Sequence, residues 1–581
     1  MIALGIMLGY MALLIVLGVV TQRVLKLTAG DYFLASRGIG PFMLLMSLFG
    51  TTMTAFALIG STGETFERGI GVYGLMASWS GIVHSACFFL IGARVWWYGK
   101  RYGYLTQIQF FRERFGSDLL GLLLFFLVSG FVLIYILMGV IGAGRVLNVL
   151  TQEAFAMEDH VTSVPFAGTA DQVKIPEEWR RRVRIESGQL IVQGALASHR
   201  RGQLMGWSDS PAWKEAVTEL FKRVPNGGLP YGVGTAIVCV VVLFYVFTGG
   251  MRATAWANTL QTLFFMIAGV LTFVVIARGM GGLTGATERV LSDGFALKRV
   301  VREGMIGRLE FTTYCFIPLS VAMFPHLFQH WLTARRADTF RLPVVAHPVC
   351  IMITWLPCVL IGMWAAAVLP ETTPRNAVLP AMIFRFATPW VAGLLGAGIL
   401  AAIMSSMDSQ FLCLSSMFTN DVVGHYIRHD VIGEKTRVYL GRLFVALLVF
   451  AAYLIGLWAP APVFPLGVWC FSGFAALFPI AFAAVYWRRS NKYGALASLL
   501  TVAAMWIWWL DDALTAAREG HAFLIAGVMP VTFMLLASTV VLVVVSLITP
   551  PPPQAIVDKF FGFASPMRNE QQSASRAAGP S

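Results

Sequence analysis

Four oxygen-bearing side chains crowd into one apolar stretch of the chain: Ser405, Ser406, Asp408 and Ser409, within residues 398–421. Hydroxyls and a carboxylate are hard oxygen ligands, the kind that an alkali cation or a proton takes. The stretch continues the apolar run 390–400, so it reads as part of a membrane helix. At 3.6 residues per turn, Ser405, Asp408 and Ser409 share one face, and Ser406 lies about 100° round from Ser405. A carboxylate in hydrocarbon is expensive and by default marks a pathway or a site. The plain alternative is serines bonded back to carbonyls four residues earlier and an Asp capped by its neighbours.

The composition says what must position these groups. Of 581 residues, 57% are hydrophobic and 13% charged, about half the charge of a soluble protein. This describes an all-α polytopic membrane protein. Its formal charge of +13 needs no nucleic acid, because cytoplasmic membrane loops collect Lys and Arg. All seven cysteines fall in apolar runs without a CxxC pair, which predicts neither a disulfide framework nor a zinc site. No nucleophile–base pair or metal-ligand spacing marks an enzyme. Glycine-rich stretches such as 279–285 neither follow a strand nor carry a P-loop lysine.

Runs long enough to cross about 30 Å of hydrocarbon occur near 2–22, 40–63, 70–97, 118–148, 231–249, 256–278, 309–333, 342–369, 389–425, 438–458, 463–487, 492–511 and 524–548. That makes about thirteen spans. The N-terminus shows no basic region before its apolar run, and Arg23 and Lys26 follow it. This predicts a retained helix with the N-terminus outside the cell's inner (plasma) membrane. Basic residues then fall in the inside loops, among them Arg37, Lys100, Arg101, Arg252, Arg335, Arg428 and Arg488. An odd number of spans leaves the C-terminus in the cytoplasm. Residues 151–229 are too polar for lipid and predict a small extracytoplasmic cap, with a β-hairpin of 182–186 and 189–195 and an amphipathic helix over 212–223. The prolines at 550–553 end the last span, and the final dozen residues read as disordered.

Two spans read as broken. Gly50, Thr51, Thr52 and Thr54 weaken the second, and Pro318 and Pro325 the seventh. An unwound segment at membrane depth is tolerated where it lines a cavity, and its freed carbonyls can hold a cation. Runs two to six and seven to eleven thus form two five-helix halves, each opening on an interrupted helix, the pattern of inverted repeats with a site between them. The expected boundaries are an extra helix and first inside loop at 1–39, a first repeat at 40–280 carrying the insert 151–229, a second repeat at 281–488, two further helices at 489–548 and a tail at 549–581.

Residues 31–37, 50–63, 249–253 and 401–421 resemble the sodium:solute symporter family, whose members share the leucine-transporter-type five-plus-five helix fold; the likeness covers roughly 1–150 and 230–550. It implies a sodium site of backbone carbonyls at Gly50, Met53 and Ala402 with the hydroxyls of Ser405 and Ser406, and Na⁺ as coupling ion. Many relatives carry an Asp where Asn258 stands in Trp256-Ala257-Asn258-Thr259-Leu260-Gln261. A carboxylate moved across the gap would let Asn258, Asp408 and Ser409 serve a second Na⁺ or a proton; the other reading is that this second site is absent. Thr52 and Thr54 follow the family's solute-lining positions, and Phe324, His326 and Gln329 lie on the other broken helix. Pro325-His326 resembles the monocarboxylate and pantothenate branches and suits an organic anion. His326, His84 and His347 read equally as satisfied interior histidines. The resemblance implies a cation-coupled carrier of a small organic solute in the lipid bilayer, without an obligate protein partner. A proton-coupled carrier using Asp408 and a transporter-like membrane sensor are the competing readings.

Overall fold

The computed structural model describes residues 1–22, 37–155, 157–197, 200–426, 433–458 and 461–562. The motif 31–36, the loop arginine at 428 and the last residues of the tail lie outside them. Among the described residues ten helices are long and apolar enough to cross a membrane, or up to 13 spans if each bent pair is one. In chain order the elements are α1 (Ile2–Gln22), α2 (Pro41–Thr52), α3 (Phe56–Arg68), α4 (Gly71–Tyr102), α5 (Gln107–Phe115), α6 (Asp118–Leu150), α7 (Tyr231–Gly279), α8 (Arg308–Ala322), α9 (Pro325–Leu332), α10 (Arg341–Ala365), α11 (Pro389–Tyr426), α12 (Glu434–Trp458), α13 (Val463–Tyr486), α14 (Lys492–Trp508), α15 (Leu510–Glu519), α16 (Pro530–Ile548) and α17 (Gln554–Phe561).

Both expected breaks are present. The first bends by 58° between α2 and α3, the second by 49° between α8 and α9. The α2 ladder closes with the Met53 N–H on the Phe49 carbonyl at 3.0 Å, where Met53 turns extended at φ −86° and ψ 102°. The Thr52 hydroxyl donates to the same carbonyl at 2.8 Å, and the Thr54 hydroxyl accepts the Phe56 N–H at 3.0 Å. These threonines cap the two half-helices that they interrupt. In the second break Pro318 sits in a tighter 3₁₀ stretch, Tyr314–Ala322, and Pro325 opens α9, the position where a missing N–H costs nothing.

Three expectations change. The runs 231–249 and 256–278 are two spans, as expected, but the helical ladder runs on between them, so Arg252 lies in helix rather than loop. Gly249-Gly250 punctuates the pattern, but glycines between apolar turns still close a helical ladder. The run 492–511 ends in a 46° bend between α14 and α15. In the insert the hairpin pair of Val183–Glu186 (β2) with Gln189–Gln193 (β3) is joined by Val161–Pro165 (β1), giving an antiparallel sheet in the order β1-β3-β2. The insert packs its own core, with Trp213 and Leu190 fully buried in it, and the amphipathic helix is Pro211–Arg223.

Burial separates the interior helices from the rim. The most apolar windows of α11 and α13 are 83% and 89% buried, against 28% for α12 and 33% for α16. The serine- and Asp-bearing helix is therefore wrapped by protein. At the end of α3, Arg68 bridges Glu64 at 3.3 Å and Glu310 at 2.6 Å, and Arg375 adds a second contact to Glu64 at 3.0 Å. After the proline run the chain forms α17, which docks on α4 and α5. The Tyr98 hydroxyl donates to the Phe560 carbonyl at 2.7 Å, and Phe560 packs on the rings of Tyr98, Tyr102 and Phe110.

Candidate cation and solute site

The first break meets the middle of α11. Ser405 Oγ donates to the Gly50 carbonyl at 2.9 Å and lies 3.0 Å from the Ala402 carbonyl on its own helix. Past Met53 no further N–H follows the α2 ladder, which frees the Gly50 carbonyl for this contact. The approach depends on glycine: a Cβ at residue 50 would lie 2.1 Å from Thr262 Oγ1. Met53 and Ser406 are both buried. Ser406 Oγ accepts from Gln410 Nε2 at 3.0 Å, and the Tyr135 hydroxyl faces both Ser406 and Thr54. Of the five expected oxygens, those of Gly50, Ala402 and Ser405 are in direct contact.

One turn along α11, Asp408 sits in a second buried cluster. The Tyr245 hydroxyl donates to its Oδ2 at 3.1 Å, and Ser409 Oγ lies 3.1 Å from its Oδ1. With its nitrogen toward the carboxylate, the Asn258 amide donates to both Asp408 oxygens at 3.1 Å and accepts from Ser409 Oγ at 2.9 Å. Chemistry selects this orientation, since the opposite one sets an amide oxygen against a carboxylate. Among the described residues no Lys, Arg or His lies within ion-pair distance of Asp408. The cluster also contains Thr51, 3.0 Å from Ser409 Oγ, and His330, with Nε2 3.2 Å from Ser409 Oγ and 3.4 Å from Thr51 Oγ1. His330 and Tyr245 were not singled out by the sequence, and Thr51 only as a helix-weakening residue. A helical projection of α9 would have put His330 one turn from His326.

The solute candidates lie beside the second break. His326 is buried, and among the described residues neither of its ring nitrogens has a hydrogen-bond partner. The imidazole stacks on Phe324, with centroids 5.2 Å apart, and meets the edge of Tyr135 at 5.5 Å. No described side chain or backbone group satisfies it. Phe471 closes on both Phe324 and Tyr135. Gln329 is buried on the same helix. Thr54 borders this region through Tyr135, whereas the Thr52 hydroxyl is committed to the Phe49 carbonyl. His84 and His347 pair with one another, His84 Nδ1 lying 3.1 Å from His347 Nε2, while His347 Nδ1 has no partner among the described residues.

Two bent spans, the first with a freed carbonyl that meets one long buried helix, define a polytopic membrane protein of the carrier type. The same fold is found in a Na⁺-coupled sialic acid symporter solved in a substrate-bound, outward-open state: the TM-score is 0.64 at 14% identity, over 95% of this chain and 99% of that one. The chain belongs to the sodium:solute symporter family, whose profile matches residues 32–164 and 219–501. Between these two matches lies most of the insert. A sodium/pantothenate symporter of Haemophilus influenzae is 26% identical over 282 residues, 47% of this chain and 57% of that protein. The osmoregulated proline transporter OpuE of Bacillus subtilis is 23% identical over 506 residues, 86% of each chain. The chain thus matches little more than half the length of the pantothenate symporter. The likeness to OpuE spans most of both proteins.

Proposed function

We propose that the protein is a sodium-coupled symporter that imports a small organic solute by alternating access. The observation that carries this reading is the Ser405 hydroxyl, within 3.0 Å of both the Gly50 and the Ala402 carbonyls. Neutral oxygens from the first break and from α11 suit a singly charged cation. With Met53 and Ser406 they would hold Na⁺ and tie the broken span to α11, and its release inside would loosen that tie. Family membership and the names of the relatives support the same reading.

The solute would bind at the second break. His326 offers two unpaired nitrogens inside an aromatic wall, which suits a carboxylate accepting an N–H. Pantothenate and proline, the solutes in the relatives' names, both carry a carboxylate and are the first to test. Asp408 has only neutral partners, which favours a second cation or a proton there. In this reading the N-terminus and the insert face outward and the C-terminus lies in the cytoplasm.

The test is the melting temperature of the purified protein against NaCl, with choline chloride holding ionic strength. A ligand bound only by the folded form stabilises it by RT ln(1 + [L]/Kd), about 2.7 kcal/mol at a hundredfold excess over Kd. A saturable, sodium-specific rise that is lost in Ser405→Ala is expected. A rise of equal size in choline, or one retained by Ser405→Ala, refutes the site.

A further inference from the structure

A cavity of about 830 Å³ opens between the insert and the helical bundle, away from the two sites above. Five separate segments wall it. Arg145 comes from the end of α6, Arg201 and Phe221 from the insert, Phe295 from the segment after α7, and Arg385 from the helix Val378–Phe386. The loop after α10 supplies the remaining side.

The charge in this cavity is unusual. Among the described residues no carboxylate lies within ion-pair distance of Arg145, Arg201 or Arg385. Arg201 Nη2 donates to Thr218 Oγ1 at 3.0 Å and its Nη1 to Thr372, while Arg385 Nη1 donates to the Val368 carbonyl at 3.0 Å. Neutral partners orient these two guanidiniums without neutralising them. Arg145 has less: among the described residues its buried Nε has no acceptor, and its guanidinium lies 5.7 Å from the Tyr231 ring centroid. A buried donor without a partner is costly, and an arginine fork matches a carboxylate. The two acids of the lining are spoken for elsewhere. Asp293 Oδ1 caps the Phe295 and Ala296 N–H groups at 2.9 and 2.8 Å, and both Asp293 and Glu371 lie beside Arg299.

We propose that this cavity is a second binding site, for an organic monocarboxylate with an apolar body: Arg145, Arg201 and Arg385 take the carboxylate, and Phe221 and Phe295 flank the body. Its volume is that of a small-molecule pocket. The insert thereby acquires a recognition role. Only the further step, passage of the solute on to His326, rests on the carrier reading.

The probe is benzoate, with benzamide as its uncharged counterpart, titrated calorimetrically into the full-length protein in lipid nanodiscs and choline chloride. Saturable binding of benzoate at millimolar concentration, at least tenfold tighter than benzamide, is expected. Arg201→Gln should weaken it at least fivefold and Arg145→Gln should abolish it. If Arg145→Gln does not fold, Arg201→Gln and Arg385→Gln, whose side chains reach solvent, decide. Absence of saturable benzoate binding overturns the proposal, as does equal binding of benzamide or undiminished binding in Arg201→Gln. Binding lost in His326→Leu but kept in Arg201→Gln places benzoate at the central site and also overturns it. Ser405→Ala should keep its benzoate binding while losing its sodium response, so a failed sodium site and a failed cavity site give different results.

Discussion

Gly50→Ala tests the geometry at the first break, because the structure fixes both its cost and its cure. The new Cβ would lie 2.1 Å from Thr262 Oγ1, where real Cβ atoms keep at least 3.0 Å. Either the Thr262 hydroxyl leaves the Met46 carbonyl, to which it donates at 3.0 Å, or α2 moves off α7. The first costs about 1 kcal/mol for the lost hydrogen bond; overpacking of this kind costs about 1–3 kcal/mol. A shift of α2 also carries the Gly50 carbonyl away from Ser405 Oγ, so the sodium midpoint should rise at least tenfold, or about 1.4 kcal/mol. Thr262→Ala removes the clashing hydroxyl and leaves only the Cβ of residue 262, an ordinary 3.4 Å from the new methyl. The double variant should therefore recover most of the stability and the sodium midpoint. Thr262→Ala alone should cost about 1 kcal/mol and leave the midpoint unchanged. Thermal melts across a NaCl series read both quantities. If Gly50→Ala melts and titrates like the parent, or the double variant shows no recovery, the close approach of α2, α7 and α11 is wrongly understood.

Asp408→Asn should alter the cation requirement or the pH profile of uptake, since it removes the carboxylate that Tyr245, Asn258 and Ser409 surround; unchanged profiles in both would exclude a second cation or proton site there. His326→Leu removes no hydrogen bond within the protein, so its melting temperature should stay close to the parent's while carboxylate uptake is lost. Persisting uptake would remove His326 from the solute site. Arg68→Met strands Glu310 and leaves Glu64 with Arg375 alone, and should cost about 3–5 kcal/mol, as breaking buried pairs does. A loss under about 1 kcal/mol, read in denaturant melts, would show the network to be solvated.

The spans and both breaks were legible because their signals are local: apolar runs for the spans, threonines and Gly50 at one break, prolines at the other. The shared face of Ser405, Asp408 and Ser409 followed from helical periodicity, and the opposition of Asn258 to Asp408 from the family resemblance, in which the acid stands at residue 258. Thr51, Tyr245 and His330 escaped because their membership depends on how four helices cross, which no spacing within one helix encodes. For His326, the sequence could not separate a satisfied histidine from an unpaired one; that depends on neighbours from α6 and α13. The insert's third strand was hidden for the same reason: β1 pairs with β3 across more than twenty residues, whereas β2 and β3 announce themselves by a two-residue turn. Between the two spans of α7 the opposite holds: Gly249-Gly250 reads as a loop, yet the helical ladder runs through it.

The docking of α17 has a consequence for biosynthesis. Phe560 is separated from Tyr98 by 462 residues, which a ribosome adds in about 25–90 seconds at 5–20 residues per second. Throughout that interval Tyr98, Tyr102 and Phe110 have been made, but the ring that packs on them has not. The aromatic slot on α4 and α5 therefore stays uncovered through most of translation, and a chain cut short by even the last few dozen residues leaves the ribosome with that slot still open.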